Sequence, residues 1–219
     1  MSIRIKICCI RNIVEAEIAL KAGAYAIGLV TEMPSGPGII SEIEVAKVAA
    51  AIGPRINTFL LTSKGDVPAL IKQIRFCGVS TVQLCNQLEN GTYRELKRAL
   101  PAVDIIPVIH VTSTASIDRA LAIASQVDGL LLDSGNPDLP VKELGGTGRS
   151  HDWEISRRIV KLVDVPVYLA GGLNSGNVSE AIQTVQPFGV DVCSGVRSGN
   201  SLDMEKLASF IAAVKSASS

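Results

Sequence analysis

The sequence predicts a single α/β domain over residues 1–219, a closed (β/α)8 barrel of the TIM type. Three observations lead there. Short apolar segments such as Gly129-Leu130-Leu131-Leu132-Asp133 and Val165-Pro166-Val167-Tyr168-Leu169-Ala170 read as strands buried on both faces, the pattern of a parallel sheet. A stretch with helical periodicity of about three turns follows each of them. Eight such units fit the length of 219 residues, at the compact end of the barrel's range. A doubly wound open sheet is the competing architecture, and no first turn carries the G-x-G-x-x-G spacing of its dinucleotide-binding form.

The first strand, Ile3 to Ile10, reads straight into a helix. Alternation at a period of two places Lys6 and Cys8 on one face and Ile5, Ile7 and Cys9 on the other, so Cys9 is expected to point away from the barrel mouth. Asn12 is a suitable cap for a helix through Ala16, Ala19 and Leu20, and Gly23 is a suitable stop. Tyr25 to Thr31 is the second strand, and the loop Glu32 to Gly38 is rich in breakers. Ser41 with Glu44 makes a capping box for a helix through Ile52. Further strands are expected at Arg55–Thr62, Ser80–Cys85, Val103–Val111, Gly129–Asp133, Val165–Ala170 and Gly189–Ser194. Helices fill the intervals at Asp66–Phe76, Thr92–Ala99, Ser116–Ser125, Trp153–Leu162, Asn177–Val185 and Asp203–Val214.

A hydrophobic content of 47% excludes a disordered chain, and a formal net charge of zero offers no attraction for nucleic acid or a membrane surface. Small molecules are the expected partners. No apolar run reaches the roughly 18 residues of a membrane span, and no signal-peptide pattern opens the chain, so a cytoplasmic location is expected. The five cysteines, Cys8, Cys9, Cys77, Cys85 and Cys193, lack disulfide-scaffold or C-x-x-C spacing and read as free thiols. Zinc held by Cys8, Cys85, His110 and Cys193 is a weaker idea, because their scatter over four strands is no motif.

Barrel enzymes place their chemistry at the C-terminal ends of the strands. Here those ends carry Cys8, Thr31, Thr62, Cys85, His110, Asp133, Ala170 and Ser194. The loops after strands seven and eight, with Gly171, Gly172 and Leu173 in one and Ser194 and Gly195 in the other, suit a phosphate cradle of backbone N–H groups. Asp133 closes an apolar strand, so burial should raise its pKa as a general acid requires. Cys8 faces the same mouth and becomes a base if its thiolate is stabilised nearby. In a closed barrel strand one lies beside strand eight, which brings Lys6 to Asp191 as a charge pair.

The segments Lys6-Ile7-Cys8, Leu131-Leu132-Asp133, Gly145-Gly146-Thr147-Gly148 with Asp152-Trp153, Ala170-Gly171-Gly172-Leu173-Asn174 with Asn177-Val178, and Pro187 to Val196 together resemble the phosphoribosylanthranilate isomerases of tryptophan biosynthesis. The resemblance spans nearly the whole chain. It implies an Amadori rearrangement of an aminoaldose phosphate to an aminoketose phosphate, with no metal or organic cofactor, Cys8 as general base and Asp133 as general acid. Gly172 with its neighbours and Ser194 with Gly195 match the family's phosphate cradle. Five positions depart from the pattern: Cys9 stands where a glycine is usual, Gly38 where an arginine meets the anthranilate carboxylate, Cys85 where a histidine is usual, Pro107 where a lysine is common in strand five, and Arg197 where a glutamate is usual, after which the usual Pro-Gly-x-Lys-Asp pattern is absent. A replacement cation is expected from Arg197, Arg149 or Arg11, and His110 is a further candidate for a polar contact or an acid. A shifted aminoaldose phosphate substrate and a barrel that binds phosphate without turnover are the alternatives.

Overall fold

A computed structural model describes residues 2–34, 36–136, 139–144 and 148–217. Eight parallel strands close in sequential order: β1 (Arg4–Ile7), β2 (Ala26–Val30), β3 (Asn57–Thr62), β4 (Thr81–Leu84), β5 (Asp104–His110), β6 (Leu130–Asp133), β7 (Val167–Leu169) and β8 (Gly189–Val192). The ring is completed by β1 and β8, with Lys6 in register with Asp191. The helices are α1 (Ile13–Lys21), α2 (Glu42–Ile52), α3 (Val67–Cys77), α4 (Tyr93–Ala99), α5 (Ala115–Ala124), α6 (Trp153–Leu162), α7 (Val178–Val185) and α8 (Met204–Ala217). The expected barrel is therefore present, with element ends displaced by a few residues at most.

Local chemistry sets the helix starts. Asn12 Oδ1 accepts from the Glu15 N–H at 2.9 Å, and Asp66 Oδ2 accepts from Ala69 N–H at 2.9 Å. Ser41 accepts from Glu44 N–H, and a reciprocal capping box joins Thr92 to Glu95. At the other end of α3, Gly78 takes φ +64 and stops the helix.

The strand alternation splits the core into two layers. Odd positions of β1, Ile5 and Ile7, join Leu130, Leu132, Val167 and Leu169 in the layer under the helices. Inside the barrel lie Ala26, Phe59, Leu61, Ile106, Leu131 and Tyr168. Aromatic rings fill the lower end: Tyr168 meets Phe59 and Phe188 edge-on at 5.7 and 5.4 Å, and Arg4 sits 4.7 Å over Tyr25. With that end plugged, the interior opens at the C-terminal ends of the strands.

One element was not expected. A two-stranded hairpin, β9 (Arg197–Ser198) with β10 (Ser201–Leu202), follows a short 3-10 turn at Ser194–Val196. Its two-residue turn is Gly199-Asn200, with Gly199 at φ +58.

Candidate active site

A cavity of about 670 Å3, counting its open mouth, occupies the C-terminal end of the barrel and is lined by Cys8, Asp133 and the loops after β7 and β8. The expected acid, base and phosphate loops thus share one space. Lys6, Cys8 and Asp191 meet at its floor. The Lys6 ammonium is completely buried and bonded to Asp191 Oδ1 at 2.9 Å, with the Phe59 ring 5.2 Å beneath it. Burial opposes that charge, but Asp191 and the neighbouring thiols outweigh it and hold the lysine protonated above its ordinary pKa. Asp191 also lines the cavity, so the pair forms part of the site. Glycine is needed at position 28 on β2, since a Cβ there would lie 2.9 Å from Cys8 Sγ and 3.1 Å from Lys6 Nζ.

Cys8 is 5% exposed, and its N–H still bonds Val192 O at 2.8 Å, continuing the ladder one residue past β1. Its pKa is lowered from the ordinary 9.0: the adjoining Cys9 thiol and the Lys6 charge together outweigh burial and the charge of Asp191. Cys9, expected to point away, lines the cavity instead. The alternation fails because Cys9 takes the left-handed φ of +62, which swings its side chain back to the mouth. Its thiol donates to Pro37 O at 3.6 Å. Contacts with Cys193 and Cys8, together with burial, raise its pKa well above 9.0, so Cys9 remains a proton donor. Glycine is the residue that φ favours, and here a thiol occupies the position under strain.

Asp133 ends β6, 8% exposed. Burial pushes its carboxyl up from 3.8 to about 6, against the pull of the Ser134 N–H, which donates to Oδ1 at 2.7 Å. Among the described residues Oδ2 makes no hydrogen bond. Cys85, deeply buried at the end of β4, is pushed up to about 12 by burial first and by the nearby Cys8.

The cradle is built by close backbone approach. Gly171 and Gly172 take φ of +87 and +62, and a Cβ on Gly172 would collide with the backbone of Gly148 and Arg149. A Cβ on Gly195 would fall 2.1 Å from Leu173 O, so the two loops touch directly. Among the described residues, the N–H groups of Gly172, Leu173, Ser194 and Gly195 bond no carbonyl or side chain. Gly171, Gly172, Leu173 and Ser194 line the cavity, and Gly195 packs against Leu173 and Asn174 beside them. Of the expected motif Gly145-Gly146-Thr147-Gly148, the first three lie outside the described residues, and Gly148 lines the cavity.

Two expected contacts are placed elsewhere. Arg197 is 7% exposed and holds Glu15 on α1 through Nη2 at 2.8 and 3.1 Å, with Asn200 O as a third acceptor. Glu15 in turn accepts from the backbone N–H groups of Arg11 and Leu202. Arg197 is therefore committed to tying β9 and β10 to α1, and it is neither solvated nor a lining residue. His110, in register with Asp133, has its Nε2 3.2 Å from Cys85 O, which turns the ring toward a separate cleft with Asn86, Tyr93 and Arg119. Arg149 pairs with Glu143, and Arg11 reaches Asn200 O at 3.4 Å.

Residues 5–213 match the model of the N-(5'-phosphoribosyl)anthranilate (PRA) isomerase family. The chain is similar to N-(5'-phosphoribosyl)anthranilate isomerase 2 of Methanosarcina mazei, 36% identical over 210 residues, covering 95% of this chain and 92% of the relative. A solved structure of phosphoribosyl anthranilate isomerase from Thermotoga maritima superposes with a TM-score of 0.80 at 26% identity, over 98% of this chain and 99% of that one. Another isomerase structure, in complex with reduced 1-(o-carboxyphenylamino)-1-deoxyribulose 5-phosphate, gives 0.77 at 24% identity over 98% and 99% of the two chains. A closed barrel with this mouth and a family match over nearly its full length make the chain a member of the phosphoribosylanthranilate isomerase family.

Proposed function

We propose that this chain isomerises N-(5'-phosphoribosyl)anthranilate to 1-(o-carboxyphenylamino)-1-deoxyribulose 5-phosphate, with Asp133 as general acid and Cys8 as general base. One observation carries the assignment: a carboxyl raised by burial and a thiol lowered by its neighbours face the same cavity, which the glycine-rich loops after β7 and β8 also line. The phosphate end of the substrate accepts from the N–H groups of Gly172, Leu173, Ser194 and Gly195, a nest that suits an anion. Asp133 delivers its proton to the ribose ring oxygen as the C1–O bond breaks, and the nitrogen lone pair closes an iminium at C1. The Cys8 thiolate then takes the proton from C2, which the cationic iminium has acidified. Electrons from that C–H bond form the enolamine, and protonation at C1 with ketonisation at C2 completes the transfer. C1 is reduced and C2 oxidised within one molecule.

Lys6 keeps a fixed positive charge under the thiolate, and Asp191 keeps that ammonium in place. The test is steady-state turnover of N-(5'-phosphoribosyl)anthranilate by the purified chain and by Cys8→Ala and Asp133→Asn. Turnover by the wild type is expected, with kcat lower by about 10²- to 10⁴-fold in each variant and little change in KM. A wild type without turnover, or either variant near wild-type rate, overturns the assignment.

A further inference from the structure

The order of the strands divides the mouth of the barrel. Phosphate-binding loops follow β7 and β8, Cys8 and Asp133 flank that arc on β1 and β6, and the arc of β2, β3 and β4 lies opposite. An extended substrate held by phosphate at one end and reacting between Cys8 and Asp133 sends its arylamine end toward that opposite arc. Val30, Leu61, Met33, Pro37 and Cys9 form the wall there with the neutral Gln83 amide and the Cys85 thiol of β4, and among the described residues no lysine or arginine lines the cavity. Its local packing keeps the wall neutral. Gly38 has φ +82, and a Cβ on it would lie 2.6 Å from Cys9 Cβ, so the thiol fills the place a side chain at 38 would take.

The surrounding cations are engaged in other pairs. Lys64 is bonded to Glu42 at 2.7 Å, Arg197 to Glu15 at 2.8 Å, Arg149 to Glu143, and Lys6 to Asp191 at the floor. The loop residues outside the description, Ser35, Pro137, Asp138, Gly145, Gly146 and Thr147, include no lysine or arginine. A ring carboxylate brought against this wall sheds water without gaining a cation, and its binding returns little of that cost.

We propose that the site recognises the aglycone by apolar packing rather than by ion pairing, and that it isomerises N-(5-phosphoribosyl)arylamines lacking the ring carboxylate as a further substrate class. The proposal rests on the isomerase reading above, since it uses the same acid, base and phosphate cradle. The reaction is the same intramolecular transfer from C2 to C1, and it needs no additional reactant.

The experiment compares kcat/KM for two substrates formed in situ from ribose 5-phosphate, one with anthranilate and one with aniline. The expected specificity constants agree within about tenfold, whereas a site built around a polar partner for the carboxylate rejects the analogue by far more. A preference above about 100-fold for the carboxylated substrate overturns this proposal and leaves the isomerase reading standing. Turnover of neither substrate overturns the isomerase reading itself and this proposal with it. Placement of the aryl end is tested by Met33→Arg, which sets a guanidinium on the same half-buried wall. That variant is expected to raise the preference for the carboxylated substrate at least about tenfold, and an unchanged ratio in a folded Met33→Arg protein overturns the placement.

Discussion

Asp133→Asn should stabilise the fold at alkaline pH while removing the acid. The carboxyl is raised from 3.8 in the unfolded chain to about 6 in the folded one, chiefly by burial. A raised folded pKa means that the native state holds the proton more tightly. The corresponding stability is complete below about 3.8 and is lost as pH rises through about 6. The rise is about 2 pH units at about 1.4 kcal/mol each, so the ionised carboxylate costs the wild type about 3 kcal/mol at pH 8. Asparagine is a neutral isostere whose Oδ1 can keep the Ser134 N–H contact of 2.7 Å. The assay is urea denaturation of both proteins from pH 5 to pH 8. The stability difference is expected to grow in favour of Asp133→Asn with pH, approaching about 3 kcal/mol at the alkaline end. A difference that stays constant with pH, or that favours the wild type at pH 8, refutes the burial argument for this carboxyl.

Cys9→Gly removes the thiol at a backbone position that glycine adopts freely, so the fold should survive. Cys8 then loses the largest influence lowering its pKa, and its alkylation by iodoacetamide, followed by peptide mapping, should require higher pH than in the wild type. The groups that remain around Cys8 are Lys6 and Asp191 on the floor, with Asp133, Cys85 and Cys193 on the walls. Lys6→Met leaves the Asp191 carboxylate buried without its cation and should cost about 3–5 kcal/mol in denaturant unfolding. Adding Asp191→Leu to that variant should recover most of the loss, because the uncompensated charge disappears with it. Gly195→Ala forces a methyl group to within 2.1 Å of Leu173 O, so the loops after β7 and β8, the proposed phosphate cradle, must part and KM should rise more than kcat falls.

Much of this architecture is legible in the chain itself, for identifiable reasons. Strands such as Leu130–Asp133 are short apolar runs bounded by breakers, and caps such as Asn12 and Asp66 act within three residues of themselves. Cys8 and Asp133 stand at strand ends, where barrel geometry alone brings them to one mouth. Lys6 and Asp191 are paired by ring closure, a consequence of topology that needs no side-chain detail. Cys9 was misplaced because alternation holds only while the backbone stays extended, and its positive φ is imposed by the turn toward Ile10, whose N–H bonds Gly28 O at 2.9 Å. Arg197 was misplaced because its partner, Glu15, lies 182 residues away on α1. The Gly199-Asn200 turn was the local signal for the hairpin that brings them together. His110 carries the right parity for the barrel interior, but the carbonyl of Cys85 claims its ring.

The central claim is that Cys8 removes the C2 proton. Single-turnover rates with substrate bearing hydrogen or deuterium at ribose C2 measure that step directly, in the wild type and in Cys8→Ala. The wild type should show a primary isotope effect, and Cys8→Ala should bind substrate while losing the single turnover by about 10²-fold or more. A Cys8→Ala protein that turns over at nearly the wild-type rate, with the same isotope effect, contradicts the account.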